Sequence, residues 1–314
     1  MLIDAASLYF RAFYAVPESV TAPDGTPVNA VRGFCDMIAR LLTEHRPARF
    51  AACLDVDWRP AFRVAALPSY KAHRVAGAPE TAPAGLAEQV PDTLEAQVPV
   101  LLDVLAAAGL ATAGATGYEA DDVIGTLVAH ERVDPVLVVS GDRDLMQVVR
   151  DSPTPVRLVY TGRGIARAEV LGPAEVAARF GLPEGRAGEA YAEMAMLRGD
   201  PSDGLPGVAG IGAKTAASLV SRFGSWAELL AAVADRTDTR LTPPVRAKLE
   251  AAADYLAVVE PVVRVAVDAP VTVDRDDAVP AAPADPERLA ELTERWGLGG
   301  SVTRLRESLA AAHA

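Results

Sequence analysis

Residues 117–125 read GYEADDVIG and crowd Glu119, Asp121 and Asp122 into four positions at the edge of an apolar stretch. A first helical turn welcomes acids because the helix dipole is positive there. Other acids fall at comparable junctions. Asp4 ends the run MLID, Asp55 follows RFAACL, and Asp142 and Asp144 follow PVLVVSG. Asp200 and Asp203 lie in GDPSDG, at the i,i+3 spacing of Glu119 and Asp122. That spacing places Glu119 and Asp122 on one helix face, and an extended GDRD would point Asp142 and Asp144 the same way. So many carboxylates at one edge repel each other and raise each other's pKa unless cations hold them. Oxygen ligands without histidine or cysteine select hard ions, Mg²⁺ or Mn²⁺. Two such ions about 4 Å apart clamp the attacking and leaving oxygens of a phosphoryl displacement.

A second motif, LPGVAGIGAKTA at 205–216, has a different chemistry. Gly210 and Gly212 let backbone N–H groups approach a phosphate, and the following helix offers its positive end. Lys214 and Thr215 extend that anion site. Such a turn reads a nucleic-acid backbone and not its bases, so it binds without sequence preference. Lys71, Lys214 and Lys248 are the only lysines among 30 basic residues.

These residues need elements to hold them. The runs 1–4, 49–56, 135–144 and 156–160 read as strands, and 29–44, 93–109 and 121–131 as helices. Their alternation predicts an α/β fold with a central, mostly parallel sheet flanked by helices. Ligands bind beyond the carboxyl ends of such strands, where the acids collect. Residues 57–92 break the rhythm with Pro, Ala, Gly and spaced basic residues, which predicts a flexible arch. From about 173 the chain turns helical, with a helix, glycine-rich turn and helix over 191–224. A strand pair is expected near 262–273, a mobile Pro/Ala-rich surface connector at 278–286, and a last amphipathic helix. The division is therefore an α/β core at 1–172 and a helical region at 173–314, with its C-terminal segment packing on the core. No internal repeat is evident.

The formal charge of −12 argues against a generally basic nucleic-acid binder, although cations bound by the acids would offset part of it. Cys35 and Cys53 lie in apolar surroundings and read as reduced thiols. No apolar run is long enough to span a bilayer and the start lacks a basic signal-peptide region, so a cytoplasmic protein is expected.

The segments IDAASLYFRAFYA, SYKAHR, GYEADD, GDRDLMQ and GDPSDGLPGVAGIGAKTA resemble the 5′ nuclease (flap endonuclease) family, most closely the 5′→3′ exonuclease domain of bacterial DNA polymerase I. The resemblance spans nearly the whole chain. It implies a PIN-like 5′ nuclease fold with a helix-hairpin-helix. It also implies a monomeric two-metal nuclease acting on DNA flaps, nicks, gaps and free 5′ ends, and on RNA primer–DNA hybrids, in replication and repair at the bacterial nucleoid. All nine acids match the family's metal positions: Asp4, Asp55, Glu119, Asp121, Asp122, Asp142, Asp144, Asp200 and Asp203. Lys71 and Arg74 match the basic pair of the arch, with Arg11 beside the first acid, as catalytic residues. The DNA-binding set is Gly210, Gly212, Lys214 and Thr215, with Arg63 and Tyr70 from the arch, Tyr70 either stacking on a base or serving as packing. Carbonyls of Pro206, Val208 and Ile211 match a K⁺ site in the hairpin.

Three departures stand out: Ala5 and Gly204 replace the family's usual Gly and Asn, and the chain ends at 314 where polymerase I continues. The residues leave two other readings open. One is a metal-dependent ribonuclease of the related fold; the other is a non-catalytic DNA-structure binder.

Overall fold

A computed structural model describes residues 1–75 and 90–313. Seven strands form one sheet: β1 (Leu2–Asp4), β2 (Ala51–Cys53), β3 (Ala111–Gly114), β4 (Val136–Ser140), β5 (Val156–Tyr160), β6 (Glu169–Leu171) and β7 (Thr272–Val273). Their order is β6-β5-β4-β1-β2-β3-β7. The five inner strands are parallel, and β6 and β7 close the edges antiparallel. The chain winds one way from β1 through β2 to β3 and then crosses to β4 on the other side. The switch point of this topology therefore lies between β1 and β4, at Asp4, where ligand crevices open in such sheets.

The first half supplies α1 (Ala5–Ala15), α2 (Asn29–His45), α3 (Ala61–Ala66), α4 (Asp92–Glu95), α5 (Val98–Ala108) and α6 (Ala120–His130). The second supplies α7 (Pro173–Phe180), α8 (Ala187–Arg198), α9 (Ala213–Arg222), α10 (Trp226–Ala234), α11 (Pro243–Ala251), α12 (Ala253–Val258) and α13 (Glu260–Val263). Two final helices, α14 (Pro286–Trp296) and α15 (Gly299–Ala311), complete the chain.

Strand periodicity divides the core between the two faces of the sheet. Ala51, Cys53, Val138 and Leu158 join α6, α8 and α9 on one side. Ile3, Ala52, Val139 and Val159 join α1, α2, α5, α14 and α15 on the other. The C-terminal helices thus cover the nuclease-like half and complete its second core.

Three expectations need correction. The expected flexible arch at 57–92 is described over 57–75 and 90–92, and over 57–75 it is folded onto the core: α3 forms there, and Arg63, Tyr70 and Ala72 are buried. Residues 76–89 lie outside the described residues. The strand pair near 262–273 reduces to β7 alone, because Glu260–Val263 form a short helix with Pro261 in its first turn. The connector at 278–286 is a surface segment, as expected, but it is tethered to the core at two points. Val279 is buried, its N–H donates to the Ala48 carbonyl at 2.9 Å, and the Asp285 N–H donates to the Ala107 carbonyl at 2.9 Å.

Candidate active site

A cleft of about 590 Å³ opens at the carboxyl edge of the sheet. Asp4, Asp55, Glu119, Asp121 and Asp142 line it with three cationic side chains, Arg11, Lys71 and Arg74. Each acid is delivered by a strand end or helix start. Asp4 ends β1 and caps α1, accepting from the Ser7 N–H at 2.9 Å and from the Ser140 hydroxyl at 2.6 Å. Asp55 follows β2 and accepts from the Ala120 N–H at 2.7 Å, tying it to the start of α6. Glu119 is the residue preceding α6 and not part of its helical face, and Asp121 lies in the first turn. Asp142 Oδ1 accepts from the Asp144 N–H at 2.8 Å, so this stretch curls into a 3₁₀ turn and is not extended.

Charge is compressed here. Burial and the neighbouring Asp55 push the Asp4 carboxyl up to about 7. Desolvation, then Asp142 and Asp4, raises Asp121 well above the carboxylate range. Asp55 is exposed to the cleft, yet the surrounding protein desolvates it and, with Glu119, raises its carboxyl against the pull of Lys71. Asp144 is raised by burial, then by Asp142, Asp203 and Asp200. The acids of GDRD therefore link the cleft to the GDPSDG loop.

Asp200 behaves differently. Burial would raise it, but bonds from Ser202 and from Arg143 (2.7 Å) outweigh that and lower its pKa. Asp203 lies beside it and accepts from Arg74 at 3.0 Å.

Asp122 is a correction to the ligand set. It is fully buried, and both its oxygens are taken by Arg63, at 2.6 and 2.7 Å. Oδ1 also accepts from the Ala266 N–H at 2.8 Å and Oδ2 from the Glu119 N–H at 3.2 Å. Such an acid has no lone pair left facing the cleft. Arg63 and Tyr70 correct the expected DNA-binding set in the same way. Arg63 is 3% exposed and bridges Asp122 to Glu119, while the Tyr70 hydroxyl donates to Glu119 at 2.7 Å. Both point inward because Glu119 and Asp122 are buried charges that demand partners. Sequence reading also overlooked Gln147, which joins the Asp144 carbonyl (3.0 Å) to Val263 and Val265.

Among the cations, Lys71 Nζ pairs with Glu119 and lies 5.3 Å from the Tyr70 ring centroid. Arg74 bonds the Ser202 carbonyl at 2.8 Å as well as Asp203. Arg11 Nε is buried without a hydrogen-bond partner. Its guanidinium sits over Gly141, where a Cβ would come within 2.8 Å.

The donor set suits a hard cation: carboxylates only, of which Asp4, Asp55, Asp121 and Asp144 are raised by burial and then by neighbouring acids, with the Asp144 Oδ1 buried and unpartnered. Among the described residues, no three acids, histidines or cysteines are gathered tightly enough to hold an ion as they stand. A cation would draw the acids inward against their repulsion.

The hairpin lies beyond GDPSDG. Its turn uses positive φ at Gly207 (66°) and Gly210 (73°), and the Ile211 N–H donates to the Val208 carbonyl at 2.9 Å. Val208 and Ile211 are buried, whereas Pro206, Gly210, Gly212 and Lys214 are exposed and Thr215 is half-buried. No side chain caps α9 at Gly212, so its first N–H groups face outward. Lys248 of α11 donates to the Gly210 carbonyl at 2.9 Å.

Comparison with known proteins agrees with this arrangement. Residues 1–181 match the model of the 5′-3′ exonuclease N-terminal resolvase-like domain, and 187–287 that of the 5′-3′ exonuclease C-terminal SAM fold. The chain is 57% identical over 310 residues to a 5′-3′ exonuclease of Mycobacterium tuberculosis, covering 98% of this chain and 97% of that one. It is 38% identical over 233 residues to DNA polymerase I of Mycobacterium bovis, covering 73% of this chain and 24% of the polymerase. Its fold resembles that of the bacteriophage T5 D15 flap endonuclease in a pseudo-enzyme–product complex with DNA and metal ions. That match has a TM-score of 0.60 at 16% identity and covers 100% of this chain and 99% of the phage protein. No helix among the described residues is long and apolar enough to cross a membrane. With both of its halves matched and nearly its full length shared with a 5′-3′ exonuclease, the chain belongs to the 5′-3′ exonuclease family.

Proposed function

We propose that this protein is a 5′→3′ exonuclease and 5′-flap endonuclease that hydrolyses DNA phosphodiesters with two divalent cations, Mg²⁺ or Mn²⁺. The observation that carries the reading is the cleft itself, where five acids face Lys71, Arg74 and Arg11 at the sheet's switch point. Asp4, Asp55, Glu119, Asp121 and Asp142 would hold the ions, with Asp144, Asp200 and Asp203 beside them. When bound, such ions polarise the phosphoryl oxygens and lower the pKa of water. The chain's own residues do the rest. Lys71 offers a compact charge to the phosphate as negative charge builds on it. Arg74 and Arg11 hold the strand on either side. The open N–H groups at the start of α9, with Lys214 and Thr215, grip duplex phosphates without reading bases. The hairpin carbonyls of Pro206, Val208 and Ile211 form the candidate K⁺ site, and primer removal and repair are the processes such a nuclease serves. A core of about 1–172 and a hairpin-bearing region of 173–314 divide these tasks.

Digestion of a 5′-labelled flap duplex with Mn²⁺, resolved by product length, tests the reading. Short 5′-phosphorylated products that vanish with EDTA are expected. Intact substrate bound by the protein would instead mark a non-catalytic binder, and cleavage of RNA alone a ribonuclease.

Two further outcomes are expected. Lys71→Ala slows single-turnover cleavage by about 10²–10³-fold, the usual cost of losing one transition-state donor, with little change in DNA affinity. The second concerns pH. Asp4, with a folded pKa of about 7 against an ordinary 3.8, binds its proton more tightly in the native state. Without cations its contribution to stability is therefore lost as pH rises from about 4 to 7. Bound Mn²⁺ replaces those protons. Melting curves should accordingly show a gain of about 5–10 °C with saturating Mn²⁺ at pH 8 and a smaller gain at pH 6. An equal gain at both values would argue against ligation by the raised acids.

A further inference from the structure

We propose that Gly204 is a positioning residue for this reaction: lacking a side chain, it lets the Ser69–Arg74 turn lie against the Asp200–Asp203 loop and so holds Lys71 in the acid cleft before DNA arrives. The role of Lys71 rests on the function proposed above; the docking itself does not.

Gly204 has φ +71°, and a Cβ there would come within 2.1 Å of the Ser69 carbonyl oxygen and 3.4 Å of the Lys71 nitrogen. Both are backbone atoms, so no rotamer change relieves the overlap. Four hydrogen bonds span the same seam. The Ser69 hydroxyl donates to the Gly204 carbonyl at 2.8 Å and the Lys71 N–H to the Asp203 carbonyl at 2.9 Å. Arg74 adds bonds to the Ser202 carbonyl at 2.8 Å and to Asp203 Oδ1 at 3.0 Å. From behind, Arg59 donates to the carbonyls of Tyr70 (2.6 Å) and Pro68 (2.8 Å). Lys71 itself has φ +47°, a conformation that a side chain disfavours and that surrounding contacts must maintain. The seam supplies those contacts. Lys71 is thereby presented to Glu119 by the free protein, and no single-stranded 5′ end is needed to bring it there. Nicked and recessed duplexes should then be cut without waiting for this turn to order.

Gly204→Asn is the discriminating variant, because asparagine tolerates left-handed backbone and the overlap with Ser69 is what remains. Amide exchange over residues 69–75 in the free protein should quicken by about tenfold or more. Single-turnover cleavage of a nicked duplex at saturating enzyme should slow about tenfold, in proportion to the fraction of molecules with the turn docked. Affinity for the duplex should hold. Lys71→Ala combined with Gly204→Asn should be no slower than Lys71→Ala alone, since a positioning residue has nothing further to lose. Ser69→Ala, which adds no bulk, should quicken the same amides about fivefold by removing one bond. Unchanged exchange in both variants would overturn the docking. Losses that multiply in the double variant would overturn the positioning role. If the wild-type protein cuts no DNA, the nuclease reading fails, and exchange still decides whether Gly204 seats the turn.

Discussion

Asp121→Asn is expected to abolish cleavage, by on the order of 10³-fold or more, while DNA binding persists or tightens. Asp121 lines the cleft, and burial, then the nearby charges of Asp142 and Asp4, raises its carboxyl. Amidation removes a charge from the group that would hold a cation, and it also removes repulsion against the phosphates. Asp122, one residue on, serves as the control. Its oxygens are occupied by Arg63, so Asp122→Asn should act mainly through stability. Turnover in saturating Mn²⁺ and duplex affinity should be measured side by side for the two variants. Near-normal turnover of Asp121→Asn would show that the cleft acids are misassigned.

Arg63→Ala should have the largest effect on stability, about 3–5 kcal/mol, because it leaves the fully buried Asp122 without its counter-ion and takes one of three partners from Glu119. Arg63 is 3% exposed, its partners Glu119 and Asp122 are at 4% and 0%, and all three pack beneath the cleft. A melting temperature lower by about 10 °C follows for a chain of this size. Arg63→Ala with Asp122→Ala should recover part of that loss, since one uncompensated charge goes with its partner. A loss below about 1 kcal/mol for Arg63→Ala would mean that water reaches the two acids. The same variant bears on the cleft, because Glu119 is held by Arg63, Tyr70 and Lys71 together.

Much of the site was legible because buried parallel strands are short apolar runs, and an acid ending such a run is conspicuous. Asp4, Asp55 and Asp142 were found in that way, and the glycine-rich hairpin by its turn chemistry. β3 escaped because Ala-Thr-Ala-Gly has little strand propensity and is held by its neighbours β2 and β7. Asp121 and Asp122 could not be separated by type or spacing. What separates them is the phase of α6 and an arginine from α3, brought in by tertiary packing. Arg63 and Tyr70 misled for a related reason: a basic and an aromatic residue in a Pro/Ala-rich stretch look like a nucleic-acid surface. Their burial depends on acids some fifty residues away. Glu260–Val263 was misjudged because valines after a proline suit either a strand or a short helix.

The two regions that match separate family models are joined at 181–187 by a short link, yet their contents are interleaved. β7 from the second region closes the sheet beside β3, and the Ala266 N–H holds Asp122. The Val262 carbonyl fixes Arg63 at 3.0 Å, and α15, which follows both matched regions, lies on α2. A cleavage in the link would release neither an autonomous catalyst nor an autonomous grip on the duplex, only two halves that need each other to fold. Recombination within a genome faces the same constraint. Swapping the hairpin-bearing half between relatives would carry along the support for the donor's acids. Changes in substrate grip are therefore coupled through shared packing to changes in the cutting centre.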